Sequence, residues 1–142
     1  MLKKTGTNND YKLVLNIWEK SARKTHYFLS KEDLDFYKTI IPESLDYVNL
    51  YLWEDHGKVV GFSGTEKDEL VMLFLDPEFI GKGYGSKILL NLMETENIKK
   101  IDVNTQNEQA KKFYLNHGFE IESEDEIAGF GKPYPITHLI KK

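Results

Sequence analysis

Residues 75–86 read LDPEFIGKGYGS, with glycines at 81, 83 and 85. An apolar run from Leu70 to Leu75 leads into this stretch, and an apolar helical pattern, Ile88-Leu89 and Leu92-Met93, leads out of it. A strand, a tight glycine turn and a helix are therefore expected. Glycines at alternate positions let backbone N–H groups converge, because no Cβ blocks the approach. The helix that follows adds its unpaired N–H groups and the positive end of its dipole. Such a turn suits an anion, most often a phosphate or pyrophosphate. It is not a P-loop, which needs Gly-Lys-[Ser/Thr] at a fixed spacing. Nor is it a dinucleotide fingerprint, because the spacing is Gly-x-Gly-x-Gly and several elements precede it.

A second motif follows another strand-like run, Ile101-Asp102-Val103. Asn107 reads as a helix N-cap. Ala110, Phe113, Tyr114 and His117 share one helical face. Gly118 stands where a helix stops in the left-handed conformation, and Phe119 starts the next strand.

The two motifs in this order resemble the GNAT superfamily of acetyl-CoA-dependent N-acetyltransferases. The family's second signature, Asn-x-x-Ala-x-x-Phe-Tyr-x-x-x-Gly-Phe, is matched by Asn107, Ala110, Phe113, Tyr114, Gly118 and Phe119. The glycines of its first signature, Arg/Gln-x-x-Gly-x-Gly/Ala, are matched by Gly83 and Gly85, but Ile80 stands where Arg or Gln is usual. Thr25-His26-Tyr27-Phe28-Leu29 and Gly131 to Pro135 are similar to stretches of the bacterial YjaB-type branch. The resemblance runs from about residue 10 to the end.

The resemblance implies a GNAT fold of α/β (α+β) class: a mixed, mostly antiparallel sheet of six to seven strands with helices on both faces. It implies acetyl-CoA as co-substrate and an amine acceptor; no metal is expected, because the four histidines, 26, 56, 117 and 138, show no metal-ligand spacing and there is no cysteine. Cofactor-binding positions carried over are Leu75, Asp76, Ile80, Gly81, Lys82, Gly83, Tyr84, Gly85, Ser86, Asn107 and Tyr114. Pairing should stop near Pro77, which has no N–H, and a splay of the fourth and fifth strands there would admit the pantetheine arm. Tyr114 matches the tyrosine that faces the thioester sulfur and is the expected general acid; otherwise it is a core aromatic. His26 and Glu69 are the candidates for the base or acceptor site, each with a plain structural reading beside it. Lys82, Lys87, Lys111 and Lys112 offer general positive charge. A homodimer is the family's habit, without a sign in the residues. The other class of function is a GNAT-fold module that senses acetyl-CoA without turnover.

At 142 residues the chain is expected to be one domain, 1–142, with room for a core. Its net charge of −4 speaks against general nucleic-acid binding. No cysteine is present to form a disulfide or a thiol nucleophile. No apolar run approaches the about 20 residues of a membrane span, and Met1-Leu2-Lys3-Lys4 opens no signal peptide, so a cytoplasmic protein is expected.

The element order expected is β-α-α-β-β-β-α-β-α-β-β. Asn8 or Asn9 would cap a first helix to about Lys24, with Leu13, Ile17 and Trp18 inward. Ser30 would start a second, ended by Pro42. Tyr47, Tyr51 and Trp53 would form one face of the next strand, packed on a helix or lining an acceptor cleft. The acidic stretch Glu120 to Glu126 reads as a solvated strand face, and His117 as a complement to a helix C-terminus. The last two strands fall near 119–127 and 134–140.

Overall fold

In the computed structural model residues 1–25, 29–126 and 134–142 are described. The described elements follow the expected order: β1 (Leu2–Thr5), α1 (Tyr11–Thr25), α2 (Lys31–Leu45), β2 (Asn49–Asp55), β3 (Lys58–Glu66), β4 (Glu69–Leu75), α3 (Tyr84–Thr95), β5 (Lys100–Asn104), α4 (Glu108–Leu115), β6 (Phe119–Asp125) and β7 (Ile136–Lys141). The seven strands form one sheet in the order β1-β2-β3-β4-β5-β7-β6. Every neighbouring pair is antiparallel except β4–β5.

Strand alternation divides the apolar residues between two cores. On one face Ile88, Leu89 and Leu92 of α3 and Tyr114 of α4 pack with Trp53, Val60, Leu70, Ile101 and Leu139. On the other, Val14, Ile17 and Trp18 of α1 and Leu34, Ile41 and Leu45 of α2 pack with Leu50, Leu52 and Phe62. Each fully buried aliphatic side chain stabilises by about 1.5–3 kcal/mol. Serine and aspartate side chains at the helix starts bond the backbone amides there. Ser30 Oγ accepts from Asp33 N at 3.1 Å, and Asp10 accepts from Thr7 N at 2.8 Å.

Several local expectations are corrected. The residue before the first helical turn is Thr7, not Asn8 or Asn9: a 3-10 turn at Asn8–Asp10 precedes α1. Leu13 is 39% exposed, and Val14 takes the inward position. Pro42 does not end α2, which continues to Leu45 because Ile41 and Leu45 are both buried against the sheet. Losing one N–H near the end of a helix costs less than exposing that last turn. Tyr47 is 78% exposed and parts from its expected face. Tyr51 and Trp53 do pack, on the α3 side; the Trp53 indole donates to Ser63 Oγ at 2.9 Å.

The β4–β5 pair is the feature that positions a site. Only Glu69↔Lys100 and Leu70↔Ile101 are in register. Beyond them β4 stays with β3 as far as Gly61↔Leu75, and β5 stays with β7 as far as Asn104↔Ile136. Each arm is held by its outer neighbour while the gap between them opens. The separation thus begins just past Leu70, a turn of strand earlier than Pro77 suggests. Gly61 matters here: a Cβ on it would lie 2.5 Å from the Phe74 carbonyl oxygen, so only glycine lets β3 grip this part of β4.

Candidate active site

The ladder ends with Asp76 N donating to the Val60 carbonyl at 2.9 Å. Pro77 then begins a short 3-10 turn whose cap is Asp76, which accepts from Glu78 N at 3.1 Å. Gly81 and Gly83 have φ of 82° and 86°, the left-handed region that glycine enters without strain. Gly83 is the N-cap of α3, so the amides of Tyr84, Gly85 and Ser86 lie in its first turn, where no carbonyl of the helix reaches them. A Cβ on Gly85 would stand 3.4 Å from Phe113, so this glycine allows α4 to pack close beside the turn.

This turn borders a cavity of about 450 Å³. Leu75, Ile80, Gly81, Gly83, Gly85 and Ser86 line one side, Asn107, Gln109, Ala110, Phe113 and Tyr114 of the α4 region another, and Ser21 and Thr25 of α1 its edge. A second cavity of about 170 Å³ fills the gap between β4 and β5, lined by residues 70–74 of β4, 101–104 of β5 and Ile136. The two share Leu73, Phe74, Asn107, Ala110 and Tyr114 as walls. The two cavities adjoin along these walls, one beside the glycine turn and the other in the opened sheet.

Tyr114 stands where they meet. Its side chain is 7% exposed and packs edge-on to Phe113 and Phe119, with ring centroids 5.2 and 6.4 Å away. Burial alone pushes its phenol far above the ordinary tyrosine range. Its hydroxyl makes no hydrogen bond to another described residue. Tyr114 lines both cavities, and among the described residues the buried polar side-chain atom left without a partner is Thr65 Oγ1, not the Tyr114 hydroxyl. Asn107 caps α4, its Oδ1 accepting from Ala110 N at 3.2 Å, while its side chain borders both cavities.

The remaining expected residues divide. Asp76, Lys82 and Tyr84 do not line the larger cavity. Asp76 is paired with Lys20 Nζ of α1 at 2.6 Å, tying the turn to the first helix. The Tyr84 hydroxyl donates to Asp55 at 2.6 Å, which raises the tyrosine and lowers the carboxyl. Lys82 and Lys87 lie over the rings of Phe79 and Tyr84, and Lys111 faces Glu124. Glu69 sits at the start of β4, outside both sets of lining residues. Burial, followed by the nearby carboxylates of Asp102 and Glu66, raises its carboxyl above the usual range. His26 lies outside the described residues. His117 folds back to the end of α4, with Nδ1 2.7 Å from the Phe113 carbonyl and Nε2 3.0 Å from Ser86 Oγ, and so links the two motifs.

Sequence reading expected the gap between β4 and β5 but missed Ser21 and Thr25 of α1 and Asp102 and Asn104 of β5 as lining residues. Ser21 and Thr25 recur at i, i+4, with Ser21 on the buried face of α1 beside Ile17, Trp18 and Ala22; small polar residues on an otherwise apolar face are the signal that could have found them. Asp102 and Asn104 alternate with the buried Ile101 and Val103 and thereby reach the opposite side of the sheet. There the Tyr134 hydroxyl joins Asp33 of α2 and receives the Ser30 amide at 3.3 Å, fixing the start of α2 beside β7.

Residues 46–121 match the acetyltransferase (GNAT) domain model. The chain belongs to the GNAT acetyltransferase family. It is therefore an acyltransferase, with the glycine turn and α4 falling inside the matched segment. The peptidyl-lysine N-acetyltransferase YjaB of Escherichia coli is 33% identical over 127 residues, covering 87% of this chain and 84% of that protein. Its counterpart from Salmonella typhimurium is 30% identical over 128 residues, covering 89% and 88%. The solution structure of apo YjaB from E. coli superposes with a TM-score of 0.89 at 28% identity, covering 99% of this chain and 96% of that one. Among the described residues no group of three His, Asp or Glu side chains is placed to hold a metal ion, and no helix is long and apolar enough to cross a membrane.

Proposed function

We propose that the chain transfers the acetyl group of acetyl-CoA to the side-chain amine of a peptidyl lysine, by direct attack across the opened sheet. The observation that carries this reading is Tyr114, common to the walls of both cavities, whose hydroxyl has no hydrogen-bond partner among the described residues. The similarity to YjaB supplies the acceptor class.

The amides of residues 81–86 hold the pyrophosphate, helped by the start of α3 and without the polar side chain that Ile80 replaces. The free edge of β4 near Leu73 to Leu75 pairs with the pantetheine amides, since it has lost β5 as a partner, whereas the Asp76 N–H is bonded to Val60 of β3. The thioester then reaches Tyr114. A backbone N–H on the same edge polarises its carbonyl. The neutral amine attacks, the C–S bond breaks, and the thiolate leaves. A thiol has a pKa of ~8.5 and an alkylamine ~10.4. Because burial keeps the Tyr114 phenol un-ionised, it donates a hydrogen bond to sulfur as charge develops, and the proton shed by the new amide nitrogen balances the step. Glu69 is the described candidate for receiving that proton, its affinity for protons raised by its surroundings; His26 is the other.

The test is incubation of the purified chain with acetyl-CoA and a peptide carrying one lysine, followed by mass spectrometry of the peptide and thiol release. With no cysteine in the chain, thiol reagents report only CoA. Peptide-dependent thiol release with acetylation at the lysine supports the reading. Tight acetyl-CoA binding without transfer to any amine favours a sensing module, the reading that Ile80 keeps open. Failure of the folded protein to bind acetyl-CoA defeats both.

A further inference from the structure

Of the described side chains that line the two adjoining cavities, only one carries a charge: Asp102. It lies on the sheet face opposite α3 and α4, because Ile101 and Val103 on either side of it are buried against those helices. Its Oδ1 is 2.6 Å from His138 Nδ1, its direct partner across β5 and β7. The other ring nitrogen of His138 lies 2.7 Å from Asp125 Oδ2 on β6. An imidazole donates from both nitrogens only when protonated, so the bridge is an imidazolium between two carboxylates, and the trio keeps a net charge of −1. The second oxygen of Asp102 makes no hydrogen bond to a described residue.

We propose that Asp102 selects the acceptor: its carboxylate receives the cationic head of an alkylammonium at the cavity between β4 and β5, and His138 is a positioning residue that holds it there. This rests on the acetyl-transfer reading above. The cofactor enters from the glycine-turn side, where no described lining side chain is charged, and the amine from the side where Asp102 is the one charged described side chain. The bound ammonium gives its proton to solvent before the free amine attacks. A neutral acceptor of the same length lacks this attraction. Asp102 is half exposed, with a side-chain accessibility of 47%, so the gain is that of a partly solvated charged hydrogen bond.

Two measurements test it on wild type, Asp102→Asn and His138→Asn. The first is steady-state transfer to a single-lysine peptide. Asp102→Asn should raise the peptide KM about tenfold and leave kcat and the acetyl-CoA KM within about threefold; His138→Asn should move the peptide KM the same way by less. The second needs no turnover: butylammonium, the head of a lysine side chain, is titrated into the CoA complex and followed by the ring-proton NMR shifts of His138. A saturable response that Asp102→Asn weakens at least tenfold, read from backbone amides of β5, supports the proposal even where no peptide is acetylated, in which case only the acetyl-transfer reading fails. An unchanged peptide KM in Asp102→Asn, or no saturable response to butylammonium in the wild type, overturns it.

Discussion

Replacing Tyr114 with Phe should leave the protein about as stable and make the enzyme much slower. The ring packs against Phe113 and Phe119, and the hydroxyl has no hydrogen-bond partner among the described residues. Removing it leaves the aromatic contacts in place and breaks no hydrogen bond among the described residues, so stability should change by less than about 1 kcal/mol. For a chain of this size that keeps Tm within about 3–5 °C of the wild type. The rate should fall by about 10²–10⁴, the usual contribution of one positioned proton donor. Acetyl-CoA affinity should change little, because the donor acts on charge that forms only as the C–S bond breaks. The assay pairs a thermal melt with thiol release at saturating acetyl-CoA. A phenylalanine variant that is destabilised by more than 1 kcal/mol, or that keeps its rate within threefold, would refute the assignment, since the hydroxyl would then be either bonded in the core or idle.

Other consequences follow from the same geometry. Gly83→Asp and Gly83→Asn impose similar backbone strain at φ 86°, in open space, but only the first adds a charge; calorimetry should find acetyl-CoA binding weakened at least tenfold more by Asp than by Asn, and equal losses would remove the pyrophosphate from this turn. The two aspartates raise the pKa of His138 on folding, so its stabilising contribution is complete below its unfolded pKa of ~6.5 and is lost as pH rises through the folded value. Urea midpoints of wild type and His138→Asn should therefore differ most near pH 6 and converge in alkaline solution; a gap that widens with pH would contradict the bridge. Leu92→Ala, at a fully buried position of α3, should cost about 2–5 kcal/mol in chemical denaturation, and a cost under 1 kcal/mol would show that this core can collapse around the loss.

The parts of the fold legible in the residues are those set by local chemistry. Gly81 and Gly83 require the turn that is found, Asn107 caps α4, and Gly118 ends that segment at φ 90°. The second signature places Tyr114 on the inner face of α4, and the structure puts it there. What was not legible is settled by tertiary contact. Pro42 is overridden by the burial of Ile41 and Leu45. The opening of the sheet starts past Leu70 because β3 and β7 hold the two arms apart, a fact of register that no local pattern announces. Nothing in the strand-like run Ile101-Asp102-Val103 marks Asp102 out; the pairing with His138 and the cavity beside it single it out.

The central claim is that cofactor and amine meet where the two cavities adjoin, in a single ternary complex. It is tested most directly by the affinity of a bisubstrate conjugate, CoA joined through an acetyl bridge to the side-chain nitrogen of a lysine peptide. If both ends occupy the two cavities at once, linking them turns the second contact into an intramolecular one, and the conjugate should bind about 10²–10⁴ times more tightly than CoA. A conjugate that binds no better than CoA itself would mean that the two cavities do not serve one reaction.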